Sequence, residues 1–225
     1  MNSPSEASAA GQAVYSKRIL SIYDLWVLGI SNSLIWKCRT RNILNWMNQG
    51  LTANHLDVGV GTGYYLDHCT FPDSNVRLGL LDLNPNSLAT AASRAGRYTP
   101  ETYQADILQS LPEQPQRFDS VSLNYLLHCL PGDLTSKSTL FDHLNQWLNP
   151  GAIISGSTIL AIGVPRSLSA RKLMNFYNEK KIFTNGRDSR EELQSQLQSR
   201  YTDVELKVTG CVALFRARYT PSTTN

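Results

Sequence analysis

The stretch LDVGVGTGYY, Leu56 to Tyr65, reads as an apolar strand that carries Asp57 near its end and runs into glycines at Gly59, Gly61 and Gly63. Positions without side chains let a ligand approach the backbone. In an open α/β sheet the crevice that uses them lies at the carboxyl ends of the strands. The loop is not the dinucleotide GxGxxG, because Tyr64 stands where the third glycine would fall. Nor is it a Walker loop, since no Lys-Ser or Lys-Thr follows the glycines. A second carboxylate, Asp82 in GLLDLNPN, ends the next apolar run 19 residues after Gly63. A carboxylate there accepts hydrogen bonds from both ribose hydroxyls, and Leu83 beside it offers an apolar face to an adenine.

Around this loop the chain alternates short apolar runs with helical segments, as a parallel sheet with crossover helices requires. Seven strands are expected, near His55–Val60, Val76–Leu83, Thr102–Ala105, Ser120–Asn124, Ala152–Leu160, Val204–Val208 and Val212–Arg218. The short connection at Gly210 makes the last of them antiparallel. Asn84 before Pro85 predicts an N-cap with proline at the first helical position, and Ser189 with Glu192 predicts a capping box. Leu140, Phe141, Leu144, Trp147 and Leu148 form one face of a helix expected to stop at Asn149-Pro150-Gly151.

Upstream, Ile19, Ile22, Tyr23, Trp26, Val27 and Ile30 fall on one helical stripe. The fold expected is therefore α/β and Rossmann-like: a seven-stranded, mostly parallel sheet with helices on both faces and an N-terminal helical cap. Residues 1–12 are read as a disordered tail, 13–50 as the cap and 51–219 as the core. An insert at 164–188 is expected to contribute to a substrate pocket.

The 225 residues carry a net charge of +3, with 41% hydrophobic and 17% charged residues, which is a soluble globular profile. Acids and bases are interspersed, without the basic stripe that nucleic acid demands. The stretch from Ile19 to Trp36 contains Asp24 and Asn32, which argues against a membrane span, and the first dozen residues have no signal-peptide pattern. Cys38, Cys69, Cys129 and Cys211 lie far apart and the histidines show no ligand spacing, so no metal is expected. A reducing, cytoplasmic setting follows; oligomeric state is not fixed by the sequence.

Five segments in order resemble the motifs of class I S-adenosylmethionine-dependent methyltransferases of the small-molecule type. They are DVGVGTG (Asp57–Gly63), LLDLNP (Leu80–Pro85), QADIL (Gln104–Leu108), FDSVSLNYLLHCLPG (Phe118–Gly132) and LNPGAIISGSTIL (Leu148–Leu160). The resemblance implies S-adenosylmethionine as cofactor and S-adenosylhomocysteine as product, in the chemistry of secondary metabolism. It places the methionine part on Gly59, Gly61 and Gly63 after Asp57, the ribose on Asp82, and the adenine between Leu83 and Ile107 with its amino group on Asp106. Asn124 would line the methionine moiety. Tyr23-Asp24 is similar to a Tyr-Asp pair in the family's N-terminal cap, where the tyrosine closes over the cofactor.

With a sulfonium donor the protein mainly has to align an O, N, S or C nucleophile, so positioning dominates. His128 is the candidate base, because imidazole can take a proton near neutral pH. Asn124-Tyr125-Leu126-Leu127 departs from the Asn/Asp-Pro-Pro-Tyr/Phe pattern of enzymes that act on nucleobase or glutamine amino groups. Trp26, Tyr125, Met174, Phe176 and Tyr177 are expected to roof an apolar pocket for a small, partly hydrophobic metabolite. Two other readings use the same fold: a cofactor-retaining cyclase or pericyclase, and a noncatalytic adenosine-ligand-binding protein.

Overall fold

A computed structural model describes residues 31–114 and 116–221. Seven strands form one sheet in the order β3-β2-β1-β4-β5-β7-β6. They are β1 (Asn54–Val58), β2 (Arg77–Asp82), β3 (Glu101–Gln104), β4 (Phe118–Asn124), β5 (Leu148–Ile159), β6 (Thr202–Thr209) and β7 (Val212–Arg218). β1 to β5 pair in parallel, and β7 inserts antiparallel between β5 and β6. The expected fold is observed. Strand order reverses between β1 and β4, which is where an open α/β sheet leaves a crevice.

The helices are α1 (Thr40–Asn48), α2 (Tyr64–His68), α3 (Pro85–Arg94), α4 (Leu134–Lys137), α5 (Thr139–Asn145), α6 (Leu168–Glu179) and α7 (Arg190–Gln198). α1 buries Ile43 and Met47, four residues apart and so on one face. The side chain of Asn84 accepts the Asn86 N–H and caps α3 ahead of Pro85, as expected. Leu140, Phe141 and Leu144 of α5 and Leu193 and Leu197 of α7 join Val121, Leu123, Ile154 and Phe215 in the largest apolar cluster. The tail and, of the N-terminal cap, the whole stripe from Ile19 to Ile30 lie outside the described residues. Ser31 to Trp36 makes one wide helical turn, closed by the Trp36 N–H on the Ser31 carbonyl at 2.8 Å.

Two local expectations are corrected. The helix expected to run to Asn149-Pro150-Gly151 ends at Asn145, and Asn149 and Pro150 already belong to β5. The reason is pairing: Leu148 aligns with Phe118 of β4, and a register shift between Phe118 and Ser120 accommodates the extra residues. At α7, Ser189 caps the Glu192 N–H as predicted, but the Glu192 carboxylate turns to Thr135 and Gln196. A complete capping box forms instead at Asp133 and Ser136, in front of α4.

Candidate functional site

Three turns of backbone geometry shape the loop after β1. Gly59, Gly61 and Gly63 all have positive φ, of 70°, 54° and 74°. At Gly63 a Cβ would lie 2.8 Å from the Ala91 Cα, so α2 can start close against α3 only with glycine there. Among the described residues a Cβ at Gly61 would meet nothing within 4 Å, so they leave the loop open at that point. Arg94 of α3 donates to the Thr62 carbonyl at 3.2 Å and holds the loop from behind.

Asp82 and this loop meet. Its carboxylate accepts the Asn84 N–H at 2.8 Å and lies near the backbone N–H groups of Gly61, Val60 and Leu83. Burial pushes its pKa up to about 6 although those N–H groups favour the ionised form. Asp57, on the neighbouring strand, is buried and accepts a short hydrogen bond from the Ser122 hydroxyl. Burial first, and then the proximity of Asp82, push it up to about 7. Two buried acids, Asp57 pushed up in part by Asp82, beside an open glycine turn make a place that favours a cation.

The other expected cofactor residues lie around the same strand ends. Leu83 is partly exposed directly after β2, whereas Ile107 is 5% exposed and packs into the largest apolar cluster. Asp106 accepts the Leu108 N–H at 3.0 Å and shapes the turn after β3. At the end of β4, Asn124 accepts from Ser157 at 3.1 Å and points its amide at the Met47 sulfur, 3.4 Å away.

Tyr125 follows at φ 59°, a left-handed conformation that costs a bulky residue energy and marks a site the surroundings hold in place. Its N–H binds the Ser157 carbonyl and its hydroxyl donates to Asn32, both at 2.8 Å. That bond ties the tip of β4 to the segment leading out of the N-terminal cap.

His128 is 1% exposed, and its Nδ1 accepts the Ile159 N–H at 3.3 Å. A neutral imidazole with Nδ1 accepting carries its hydrogen on Nε2. Burial, with Lys137 nearby, lowers the His128 pKa to about 3. The ring packs edge-on against Phe183 at 4.4 Å. On α6, Met174 is buried in a cluster with Trp36 and Phe183, and Tyr177 packs on Phe183, but Phe176 points outward and is 48% exposed. Tyr23 and Trp26 lie outside the described residues.

Sequence reasoning passed over His55, Ser120 and Ser122. They alternate along β1 and β4 with Asp57 in the strings HLD and SVS, a pattern that ordinarily marks a solvent-facing strand. Here all are buried, with His55 and both serines at 0% exposure. The alternation was the available signal. A second concavity, of about 440 Å³, lies at the far ends of β5 and β7, where Arg216 and Arg218 are already paired with Glu205 and Asp203.

A family profile described as a methyltransferase domain matches residues 56–154. Over 92% of its length the chain is 41% identical to demethylluteothin O-methyltransferase of Streptomyces thioluteus, covering 90% of that protein. The chain belongs to the class I S-adenosylmethionine-dependent methyltransferases. This methyltransferase is also 38% identical to the physcion biosynthesis cluster O-methyltransferase of Aspergillus chevalieri, across 92% of the chain and 94% of the relative. In fold it is similar to the N-methyltransferase NodS of Bradyrhizobium japonicum, solved with S-adenosyl-L-homocysteine, with a TM-score of 0.64 at 18% identity, covering 94% of this chain and 99% of that one. The family uses an S-adenosylmethionine-type cofactor, and the open turn at Gly61 with the Asp57 and Asp82 carboxyls suits a cationic adenosyl ligand.

Proposed function

We propose that this enzyme methylates a hydroxyl oxygen of a small, partly hydrophobic metabolite, with the cofactor seated between the glycine loop and Asp82. The observation that carries the reading is the Asp82 carboxylate lying beside the Val60 and Gly61 N–H groups at the edge of the open turn. Relatives at 41% and 38% identity that are named O-methyltransferases support oxygen as the acceptor atom.

In this reading Gly59, Gly61 and Gly63 leave room for the methionine part and Asp82 accepts from the ribose hydroxyls. Leu83 and Ile107 flank the adenine, Asp106 takes its amino group, and Asp57 and Asn124 stand behind the methionine. When bound, S-adenosylmethionine supplies a methyl group made electrophilic by its sulfonium. The chain's own residues orient the acceptor and exclude water.

Tyr125, Met174, Tyr177 and, from the cap, Tyr23 and Trp26 supply the apolar wall; Phe176 would join it only by turning inward. His128 offers an Nε2–H, which suits it to donate a hydrogen bond to the acceptor region and not to remove a proton. The test is to incubate the enzyme with S-adenosylmethionine and a panel of phenols, enols and alcohols, scoring S-adenosylhomocysteine and product mass. O-methylated product from any hydroxyl compound supports the reading. Tight cofactor binding with no transfer across the panel counts against it.

A further inference from the structure

Beneath the glycine loop a line of polar side chains crosses the interior of the sheet. The Thr52 hydroxyl lies 2.9 Å from Ser120 Oγ, Ser120 Oγ 2.7 Å from His55 Nδ1, and His55 Nε2 2.9 Å from Ser122 Oγ, which reaches Asp57. The backbone explains the alignment, because β1 and β4 run parallel with His55 opposite Ser120 and Asp57 opposite Ser122. We propose that His55 and Ser122 are positioning residues for the cofactor, setting the ionisation of Asp57 through a hydrogen-bond chain whose direction reverses with the His55 tautomer. The proposal rests on the cofactor reading above.

Each member can be satisfied in both directions. With Asp57 ionised, the single Ser122 hydrogen goes to the carboxylate, so Ser122 oxygen must accept from His55 Nε2–H. The bare Nδ1 then accepts from Ser120, whose oxygen accepts from Thr52, including the Thr52 N–H at 3.1 Å. With Asp57 protonated, every bond turns round: Asp57 donates to Ser122, Ser122 to Nε2, Nδ1–H to Ser120 and Ser120 to Thr52. The Thr52 hydroxyl then donates to the Asn54 carbonyl at 3.0 Å.

Passing from the second state to the first, Asp57 gives its proton to Ser122 and each member hands its own onward. One proton leaves at the partly exposed Thr52. No heavy atom moves and no group is left unpaired.

The surroundings favour this exchange. Burial lowers the His55 pKa to about 3, so it changes tautomer without becoming charged. Its ring meets Phe71 edge-on at 5.8 Å, alongside the two serines. Asp57 faces Asp82 from β2 and Cys69 after α2, with Arg97 acting on Cys69 from beyond; burial keeps the Cys69 thiol up at about 12 and uncharged. A ligand bearing an ammonium group at the loop favours ionised Asp57, and the chain then points all its donors toward it.

The experiment uses the full chain with ¹⁵N-labelled histidine, the His55 signals being assigned by their loss in His55→Gln. In the ligand-free protein the hydrogen is expected on Nε2 at pH 8 and on Nδ1 at pH 5.5. Saturation with S-adenosylhomocysteine at pH 6 is expected to restore the Nε2–H form, and calorimetry in buffers of different ionisation enthalpy should show proton release on binding. Ser122→Ala should uncouple the tautomer from pH and move the acid limb of the affinity profile up by about one unit, or about tenfold weaker binding near pH 6. Ser122→Thr keeps the hydroxyl and should restore both.

An imidazolium signal near pH 6.5, one tautomer across the whole range, or a Ser122→Ala profile that overlays the parent overturns the proposal. If the parent protein fails to bind S-adenosylhomocysteine at every pH, the cofactor reading itself fails and takes the proposal with it.

Discussion

The two faces of the sheet are made from the same three central strands with opposite chemistry. One carries Leu56, Val58, Val121, Leu123 and Ile154 and continues to Phe215, packed beneath α5 and α7. The other carries His55 and Asp57, Ser120 and Ser122, and Ser155 and Ser157, all buried. The apolar face holds the fold together by removing hydrocarbon from water. The polar face is tolerated because its members satisfy one another, and its hydrogen bonds lead to the carboxyl ends of β1 and β4 where the glycine loop sits. Stability and ligand recognition are thus divided between the two sides of the same strands.

The sharpest way to break that division is Phe215→Ala, which empties the apolar face under Gly156. It should cost about 3–5 kcal/mol, read in urea unfolding. Cofactor affinity of the folded protein should stay within about twofold, because Phe215 sits on β7, three strands from β1 in the sheet. A large affinity loss would mean that the faces are not independent.

Gly63→Ala should cost about 1–3 kcal/mol, since φ 74° and the Ala91 backbone both oppose a Cβ, and unlike the first variant it should weaken cofactor binding as well. Asp82→Ala should cost some stability by leaving the Asn84 N–H unpaired and should weaken cofactor binding by about 1–3 kcal/mol through stranded ribose hydroxyls; unchanged affinity in calorimetry refutes its role.

The mildest variant is His128→Asn, which keeps an acceptor for the Ile159 N–H. Turnover should remain above about a tenth of the parent's, and a loss of several hundredfold would make His128 a base after all. The same variant checks a pH effect. His128 is held neutral with its pKa lowered to about 3 from 6.5, so below 6.5 the unfolded chain takes up a proton that the folded one refuses. Its contribution is full above about 6.5 and is lost as pH falls toward 3. The stability gap between parent and variant should therefore narrow over that window in parallel denaturant titrations.

The fold was legible because strand periodicity, Gly59-Val60-Gly61-Thr62-Gly63 and the Asn84-Pro85 cap are local signals, each fixed by neighbours in the chain. The corrections have non-local causes. Asn149 and Pro150 look like a helix stop, yet Leu148 before them already pairs with Phe118 of β4. Glu192 stands at capping-box spacing, yet Thr135, 57 residues away, takes its carboxylate. On α6, helical spacing grouped Met174, Phe176 and Tyr177, but the contact with Trp36 and Phe183 selects only the side bearing Met174 and Tyr177.

The sequence by itself determined the strand–glycine–helix unit, the carboxylate at Asp82 and the family to which they belong, since these depend on backbone conformation and short-range spacing. Only the tertiary structure decided that the polar side of β1 and β4 faces inward and that His128 is buried with Nδ1 accepting the Ile159 N–H. Alternation shows which side chains share a face, but whether that face meets water or protein depends on what packs against it. Phe71 edge-on to the His55 ring, and Met47 of α1 against Asn124, cover this side of the sheet where the pattern alone would have left it wet.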